Sequence, residues 1–304
     1  MVLITGGSGY LGGRIAVHLE RLGYQVRVGK SVESDSKGFP IDFTDDHSIN
    51  SACDGVSSII HLAAMNAQSC DHNPEKALLI NGLGTLKLLK ASKKNRVSKF
   101  LYFSTAHIYG SPLKGEINEE LLPRPLHPYS ITHRVAEDYV MEEACQQGLS
   151  TTVFRLTNAV GSPITPQANC WMLVANDFCR QVVTSGSIKV YSNKFLQRDF
   201  IPISSICSVV SSFLDSNALD GEIVNLSSGV AITLQSLAIM IADRSEVVLG
   251  FRPNINFFDN STEVDTSELI ISNSKLSGLG LEVDNDLTNE IDQLLLNCNK
   301  WFSK

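Results

Sequence analysis

The chain has 304 residues, enough for two domains or for one large domain with an appended lobe. Hydrophobic residues make up 43% and charged residues 19%, so a real core is expected and general disorder is excluded. The net charge of −7 argues against nucleic acid or an anionic membrane surface as the main partner, and no apolar run approaches the ~20 residues of a membrane span. The seven cysteines are odd in number and never spaced C-x-x-C, which reads as reduced thiols in a cytoplasmic protein. Cys70-Asp71-His72 resembles half of a metal site with no second half in view, so no metal is expected.

Val2–Thr5 is a short apolar run ended by glycines, a first strand. Leu11, Ile15, Leu19 and Leu22 then recur at spacings of four, four and three, the buried stripe of a helix. Val26–Val28 and Ser58–Leu62 are further strands. Pro74–Lys94 is a long helix, with Asn73 as cap and Pro74 at its first position. Phe100–Ser104 is a strand, Ser130–Gln147 a helix, and Thr151–Leu156 a β-branched strand. This alternation predicts βαβ units and an α/β fold with a Rossmann-type, doubly wound parallel sheet. Beyond Arg155 the rhythm loosens. Short strands at Ile188–Tyr191 and Ile223–Leu226 alternate with helices at Met172–Thr184 and Thr233–Ala242. The division expected is a dinucleotide-binding domain over residues 1–160 and a smaller α/β substrate lobe over 161–304, with the chain free to cross between them.

Directly after the first strand, Thr5-Gly6-Gly7-Ser8-Gly9-Tyr10-Leu11-Gly12 opens a helix. Glycines there permit a tight turn and close approach of backbone to a pyrophosphate, while the helix N-terminus supplies N–H donors. An acidic residue at the end of the second strand would serve the ribose hydroxyls of NAD. The sequence has Val28-Gly29-Lys30-Ser31 instead, and a cation beside a hydroxyl suits the 2′-phosphate of NADP. NADP(H) is therefore expected over NAD(H). The alternative is that Lys30 is merely exposed and Glu33 or Asp35 serves the ribose.

Tyr129 and His133 are four apart on a predicted helix and project from one face, while Thr105 sits just past a strand end. These features resemble an extended short-chain dehydrogenase/reductase of the nucleotide-sugar epimerase/dehydratase group, over nearly the whole chain. Beside the glycine run, Asp42-Phe43 resembles the pair that contacts adenine. Ile60-His61-Leu62-Ala63-Ala64 resembles the family's fourth-strand signature, and Asn81-Gly82-Leu83-Gly84-Thr85 its helix signature. Phe103–Gly110 matches the segment carrying the catalytic Ser/Thr, here Thr105, and Pro128-Tyr129 opens the catalytic helix. Arg155–Asn158 and Arg198–Phe200 resemble the segments that hold the substrate diphosphate.

The resemblance implies Thr105, Tyr129 and His133 as catalytic residues. It implies Gly6, Gly9, Tyr10, Leu11, Gly12, Asp42, Phe43, Leu62, Ala63, Ala64 and Asn81, with Tyr129 and His133, as cofactor-binding residues, to which the position of Lys30 at the end of the second strand adds Lys30. Thr105, Asn158 and Arg198 would hold the substrate. Tyr129 would be the general acid/base and Thr105 would polarise the reacting oxygen. His61 and His107 are expected to be structural. Two positions depart from the family pattern. Ala106-His107 follows Thr105 where dehydratases carry Asp-Glu, and His133 stands where the family carries Lys. A neutral imidazole gives Tyr129 no fixed charge, which leans the expected reaction toward 4-keto reduction of a nucleotide-activated sugar rather than epimerisation. An attenuated NAD(P)-binding sensor and a reductase of a non-sugar carbonyl are the alternatives. A cytoplasmic homodimer is expected.

Overall fold

The computed structural model describes residues 1–146, 148–259 and 268–303. The first half runs β1 (Val2–Thr5), α1 (Tyr10–Arg21), β2 (Val26–Ser31), β3 (Phe39–Ile41), α2 (Asp46–Cys53), β4 (Ser58–His61) and α3 (Ala67–His72). It continues through α4 (Pro74–Ala77), α5 (Gly84–Lys94), β5 (Lys99–Thr105), β6 (Gly115–Ile117), α6 (Pro128–Ala144) and β7 (Ser150–Leu156). Then come β8 (Asn158–Val160), α7 (Val174–Ser185), β9 (Ser187–Val190), β10 (Gln197–Pro202), α8 (Ile203–Asp215) and β11 (Glu222–Leu226). The last elements are β12 (Ala231–Thr233), α9 (Leu234–Leu249), β13 (Asn254–Phe257), β14 (Leu269–Ile271), α10 (Ser274–Gly278) and α11 (Thr288–Phe302).

Seven strands form one parallel sheet in the order β11-β7-β5-β4-β1-β2-β3. The chain leaves β1 to build outward through β2 and β3, then returns to place β4 on the other side. The crevice above β1 and β4 is thus the topological switch point where ligands of such sheets bind. Strands β1 and β4 are buried along their whole length, as apolar strands covered on both faces must be. Ile15 and Leu19 of α1 pack with Ile206, Val210 and Phe213 of α8 on one face. Ile49, Leu88, Ala136 and Val140 from α2, α5 and α6 cover the other. Leu22, expected at the end of the α1 stripe, is instead 55% exposed, because the helix stops at Arg21 and Leu22 caps it.

A three-stranded sheet (β12-β10-β8) and helices α7, α9 and α11 build the smaller lobe around Val182, Ile241 and Leu294. The expected division at residue 160 is crossed again by the chain, since α8 packs on α1 and β11 forms the edge of the large sheet beside β7. A bidentate pair fastens the lobe to the sheet: Arg14 of α1 donates to both oxygens of the buried Glu290 of α11, at 2.9 and 2.7 Å. The helix expected over 74–94 is interrupted by a wide π-helical turn at Leu78–Leu83, between α4 and α5. That turn carries Asn81 buried beneath it. Gln147, the expected end of the following helix, lies outside the described residues. Among the described residues, no helix is long and apolar enough to cross a membrane.

Candidate active site

The loop between β1 and α1 is shaped by glycine. Gly6 has a φ of +66°, and a Cβ there would stand 3.0 Å from the Ala63 nitrogen. A Cβ on Gly12 would stand 2.3 Å from the Gly6 oxygen, so a side chain at that position forces the loop apart. Gly9 precedes α1 without any side-chain cap, which leaves the first helical N–H groups open to an anion. The end of β4 closes on the same loop: Leu62 and Ala63 donate their N–H groups to the Thr5 hydroxyl, both at 3.2 Å, and Ala64 follows. These features fit a dinucleotide pyrophosphate.

Several side chains expected at the cofactor have other partners. The Tyr10 hydroxyl lies within reach of the Ala159 and Gly161 oxygens and Asn176 Oδ1, at 3.0–3.2 Å, so it ties the loop to the smaller lobe. Its contribution to a phosphate would come from its main chain, beside Leu11, which lines the cleft. Asp42 accepts from the N–H and hydroxyl of Thr44, and these two bonds hold its carboxyl below the usual carboxylate range. The Phe43 ring packs against His61, with centroids 5.6 Å apart. Asn81 is buried, accepts from the Met65 N–H at 2.8 Å and donates to the Thr132 hydroxyl at 3.0 Å. It fixes the segment after β4 against α6 rather than opening its amide to the cleft. Lys30 donates to the Ser34 oxygen at 2.6 Å, within its own loop.

Thr105, Tyr129 and His133 converge where β5 ends and α6 begins. Thr105 Oγ1 accepts the His107 N–H at 3.2 Å, which leaves its own proton to donate. His127 caps α6 by accepting the Tyr129 N–H, and Pro128 opens the first turn, so Tyr129 is held at the helix start. The Tyr129 phenol is pushed up to about 12, first by burial and then by the Cys70 thiol, against the hydrogen bond with Thr105. One turn on, the His133 ring meets the Tyr129 ring edge to face, with centroids 4.4 Å apart. Burial draws His133 down to about 4, so it is neutral at pH 7. Its Nδ1 lies 2.7 Å from the Tyr102 hydroxyl of β5, while its buried Nε2 has no partner among the described residues. Tyr102 escaped the sequence reading, where a tyrosine in an apolar strand is indistinguishable from core.

On the substrate side, a cleft of about 950 Å³ brings Thr105, Tyr129, His107, Asn158 and Arg198 together. Arg198 of β10 has no carboxylate partner among the described residues, and burial lowers its guanidinium from the usual value. A half-buried, unpaired guanidinium is a ready site for an anion. Asn158 donates to the Asp199 main-chain oxygen at 2.8 Å, leaving its own oxygen available. Asp199 itself is buried and structural, accepting from Thr157 and from both the N–H and the hydroxyl of Ser228. Arg155, in the segment expected near the substrate, is sealed in a buried bidentate pair with Glu137. His61 is held between the Thr5 and Thr85 hydroxyls at 2.6 and 2.9 Å, a structural role. His107, expected to be structural, is exposed and lines the cleft, and its ring has no hydrogen-bond partner among the described residues.

Comparison with known proteins agrees with this geometry. The GDP-6-deoxy-D-talose 4-dehydrogenase of Aggregatibacter actinomycetemcomitans is 28% identical over 280 residues, covering 90% of this chain and 89% of its own. The GDP-6-deoxy-D-mannose reductase of Pseudomonas aeruginosa is 29% identical over 198 residues, covering 63% and 64%. Among solved structures, RMD from Pseudomonas aeruginosa complexed with NADPH superposes with a TM-score of 0.81 at 22% identity, covering 98% of this chain and 99% of that one. The Thermus thermophilus UDP-glucose 4-epimerase complex with NAD also reaches 0.81 at 22% identity, covering 98% of each chain. The model of the NAD dependent epimerase/dehydratase family matches residues 2–227, and the chain belongs to that family.

Proposed function

We propose that this chain is an NAD(P)-dependent oxidoreductase acting at C4 of a nucleotide-activated sugar, in the direction of 4-keto reduction and with NADP(H) preferred over NAD(H). The observation that carries the direction is the environment of Tyr129. Its phenol is pushed up to about 12, and its neighbour at the family's lysine position is an imidazole that burial keeps neutral. A protonated phenol is the proton donor that reduction needs; it is a poor base for oxidation at neutral pH. The dinucleotide, when bound, supplies or accepts hydride. Tyr129 gives its proton to the substrate oxygen as the alcohol forms, and Thr105 donates a second hydrogen bond to that oxygen and orients it. The resulting tyrosinate recovers its proton from solvent.

The substrate class is supported by the unpaired Arg198, with Asn158 beside it, at the far side of the same cleft, and by the two relatives named for GDP-6-deoxyhexoses. The NADP(H) preference is supported by Lys30 in place of an acid at the end of β2. The working form is a homodimer: Leu78, Leu79 and Leu83 of the wide turn and Ile131 and Tyr139 of α6 are each 40–49% exposed on adjoining helices. Sedimentation at a single monomer mass down through micromolar loading would remove that element.

The test is a panel of nucleotide-4-ketosugars and nucleotide sugars followed at 340 nm with NADPH and NADH. The expected result is consumption of NADPH on a 4-ketosugar nucleotide and none on free sugars. Faster turnover of a phosphate-free ketone, or no turnover across the panel despite nucleotide binding, overturns the reading.

A further inference from the structure

We propose that Tyr102 is a positioning residue that locks His133 in its Nε2–H tautomer, making a neutral imidazole a hydrogen-bond donor where a charged lysine would ordinarily stand. The inference rests on the functional reading above only for what that donor meets.

The lock follows from counting protons and partners. Tyr102 is buried, and His133 Nδ1, at 2.7 Å, is the one hydrogen-bond partner its hydroxyl has among the described residues. A tyrosine hydroxyl has one proton to give. If Nδ1 carried the ring proton, that bond would run from His133 to Tyr102, and the phenolic proton would be left buried without an acceptor. The opposite arrangement satisfies both atoms: Tyr102 donates, Nδ1 accepts, and the ring proton resides on Nε2. Glu137, the carboxylate whose charge acts on Tyr102, makes no hydrogen bond with its hydroxyl among the described residues; it is turned to Arg155.

Nε2–H is then a buried donor with no acceptor among the described residues, lying beside the catalytic tyrosine. A native fold keeps few such groups, and one at an active site signals a missing partner. Buried beside Tyr129, which lines the cleft while His133 does not, this donor is assigned a nicotinamide-ribose hydroxyl of the bound dinucleotide as its acceptor. An imidazole with its proton on Nδ1 does not offer that donor, and an unlocked one offers it only for the fraction of molecules protonated on Nε2. Tyr102 and His133 thus act as a pair: the strand residue sets the tautomer, and the helix residue presents it.

The experiment has two arms, each on the full chain. Long-range 1H–15N correlation spectra of the ligand-free protein at pH 7 report the His133 tautomer directly. The wild type is expected to show the Nε2-protonated pattern, and Tyr102→Phe a mixture; an Nδ1-protonated wild type overturns the proposal. Fluorescence titration then compares NADPH with 2′,5′-ADP, a fragment that lacks the nicotinamide ribose. Tyr102→Phe, which keeps the ring and its packing, is expected to weaken NADPH by the reciprocal of the remaining Nε2–H fraction, about 2-fold for an even mixture, and to leave the fragment unchanged. Equal weakening of both ligands, or of neither, overturns the assignment and reduces Tyr102 to core. A wild type that binds no dinucleotide would refute the functional reading and the ribose contact together, while the spectrum still decides the lock.

Discussion

Replacing His133 with lysine restores a fixed charge beside Tyr129, and the site's electrostatics give the size of the effect. Held up at about 12, Tyr129 is ionised in only about one molecule in 10⁵ at pH 7. The rings of residues 129 and 133 are 4.4 Å apart, so a lysine ammonium would lie about 5 Å from the phenolic oxygen. At an effective dielectric of ~20 that attraction is about 3 kcal/mol, or about two pKa units. Tyrosinate at pH 7 rises ~100-fold, and kcat/KM for oxidation of the sugar alcohol is expected to rise with it. In the wild type, oxidation should climb about tenfold per pH unit between pH 6 and 9, because the base lies far above its working pH. Reduction should stay level across that range, since Tyr129 is protonated throughout. The burial that pulls His133 down to about 4 also lowers a lysine, so the gain fades once pH passes the lysine's own value. Both directions can be followed at 340 nm, with 13C shifts of labelled tyrosine reporting Tyr129 ionisation independently. A flat wild-type oxidation profile from pH 6 to 9, or a His133→Lys enzyme no faster in oxidation at pH 7, would refute the electrostatic reasoning.

Two further outcomes bear on the ligands. Lys30→Asp should exchange a preference for NADPH for one toward NADH, by ~10- to 100-fold in the ratio of dissociation constants, the range of a charge-assisted hydrogen bond; identical titrations in wild type and variant would show that Lys30 serves only its bond to Ser34. Arg198→Ala should raise KM for the nucleotide-sugar substrate by ~10- to 100-fold and leave the dinucleotide dissociation constant in place. Loss of both affinities together would mean that Arg198 supports the fold of the cleft instead.

What the sequence made legible divides by range of interaction. The glycine loop, the strand that precedes it and the helix that follows are set within twelve residues, and their steric logic is local. Tyr129 and His133 were placed together by helical spacing alone. The edge strand Glu222–Leu226 was recognisable as a strand, but its seat beside β7 depends on a pairing some seventy residues apart that no local pattern encodes. The wide turn at Leu78–Leu83 was hidden for a related reason: Asn81 is buried there by partners at Met65 and Thr132, outside the helix whose period was read. Side-chain commitments were the least visible layer. Tyr10, Asp42 and Asn81 carry the right residue types at the right spacings, yet their polar atoms are engaged within the protein, and only coordinates distinguish a residue that touches a ligand from one that shapes the place for it.

The Tyr102–His133 pair bears on why loss of the lysine need not abolish the site. A lysine at position 133 would do two jobs, donating a hydrogen bond and lowering the phenol's pKa. A neutral imidazole with its proton on Nε2 keeps the first and gives up the second. Desolvation favours that exchange here, because an imidazole is buried neutral at pH 7 whereas an ammonium in the same place must be compensated. An epimerase needs both jobs, since it must oxidise and then reduce in one turnover. A reductase needs only the first, because the proton it delivers is already on Tyr129. The direction proposed for the reaction and the hydroxyl on β5 therefore follow from one substitution, and the oxidation profile and the histidine spectrum test its two halves separately.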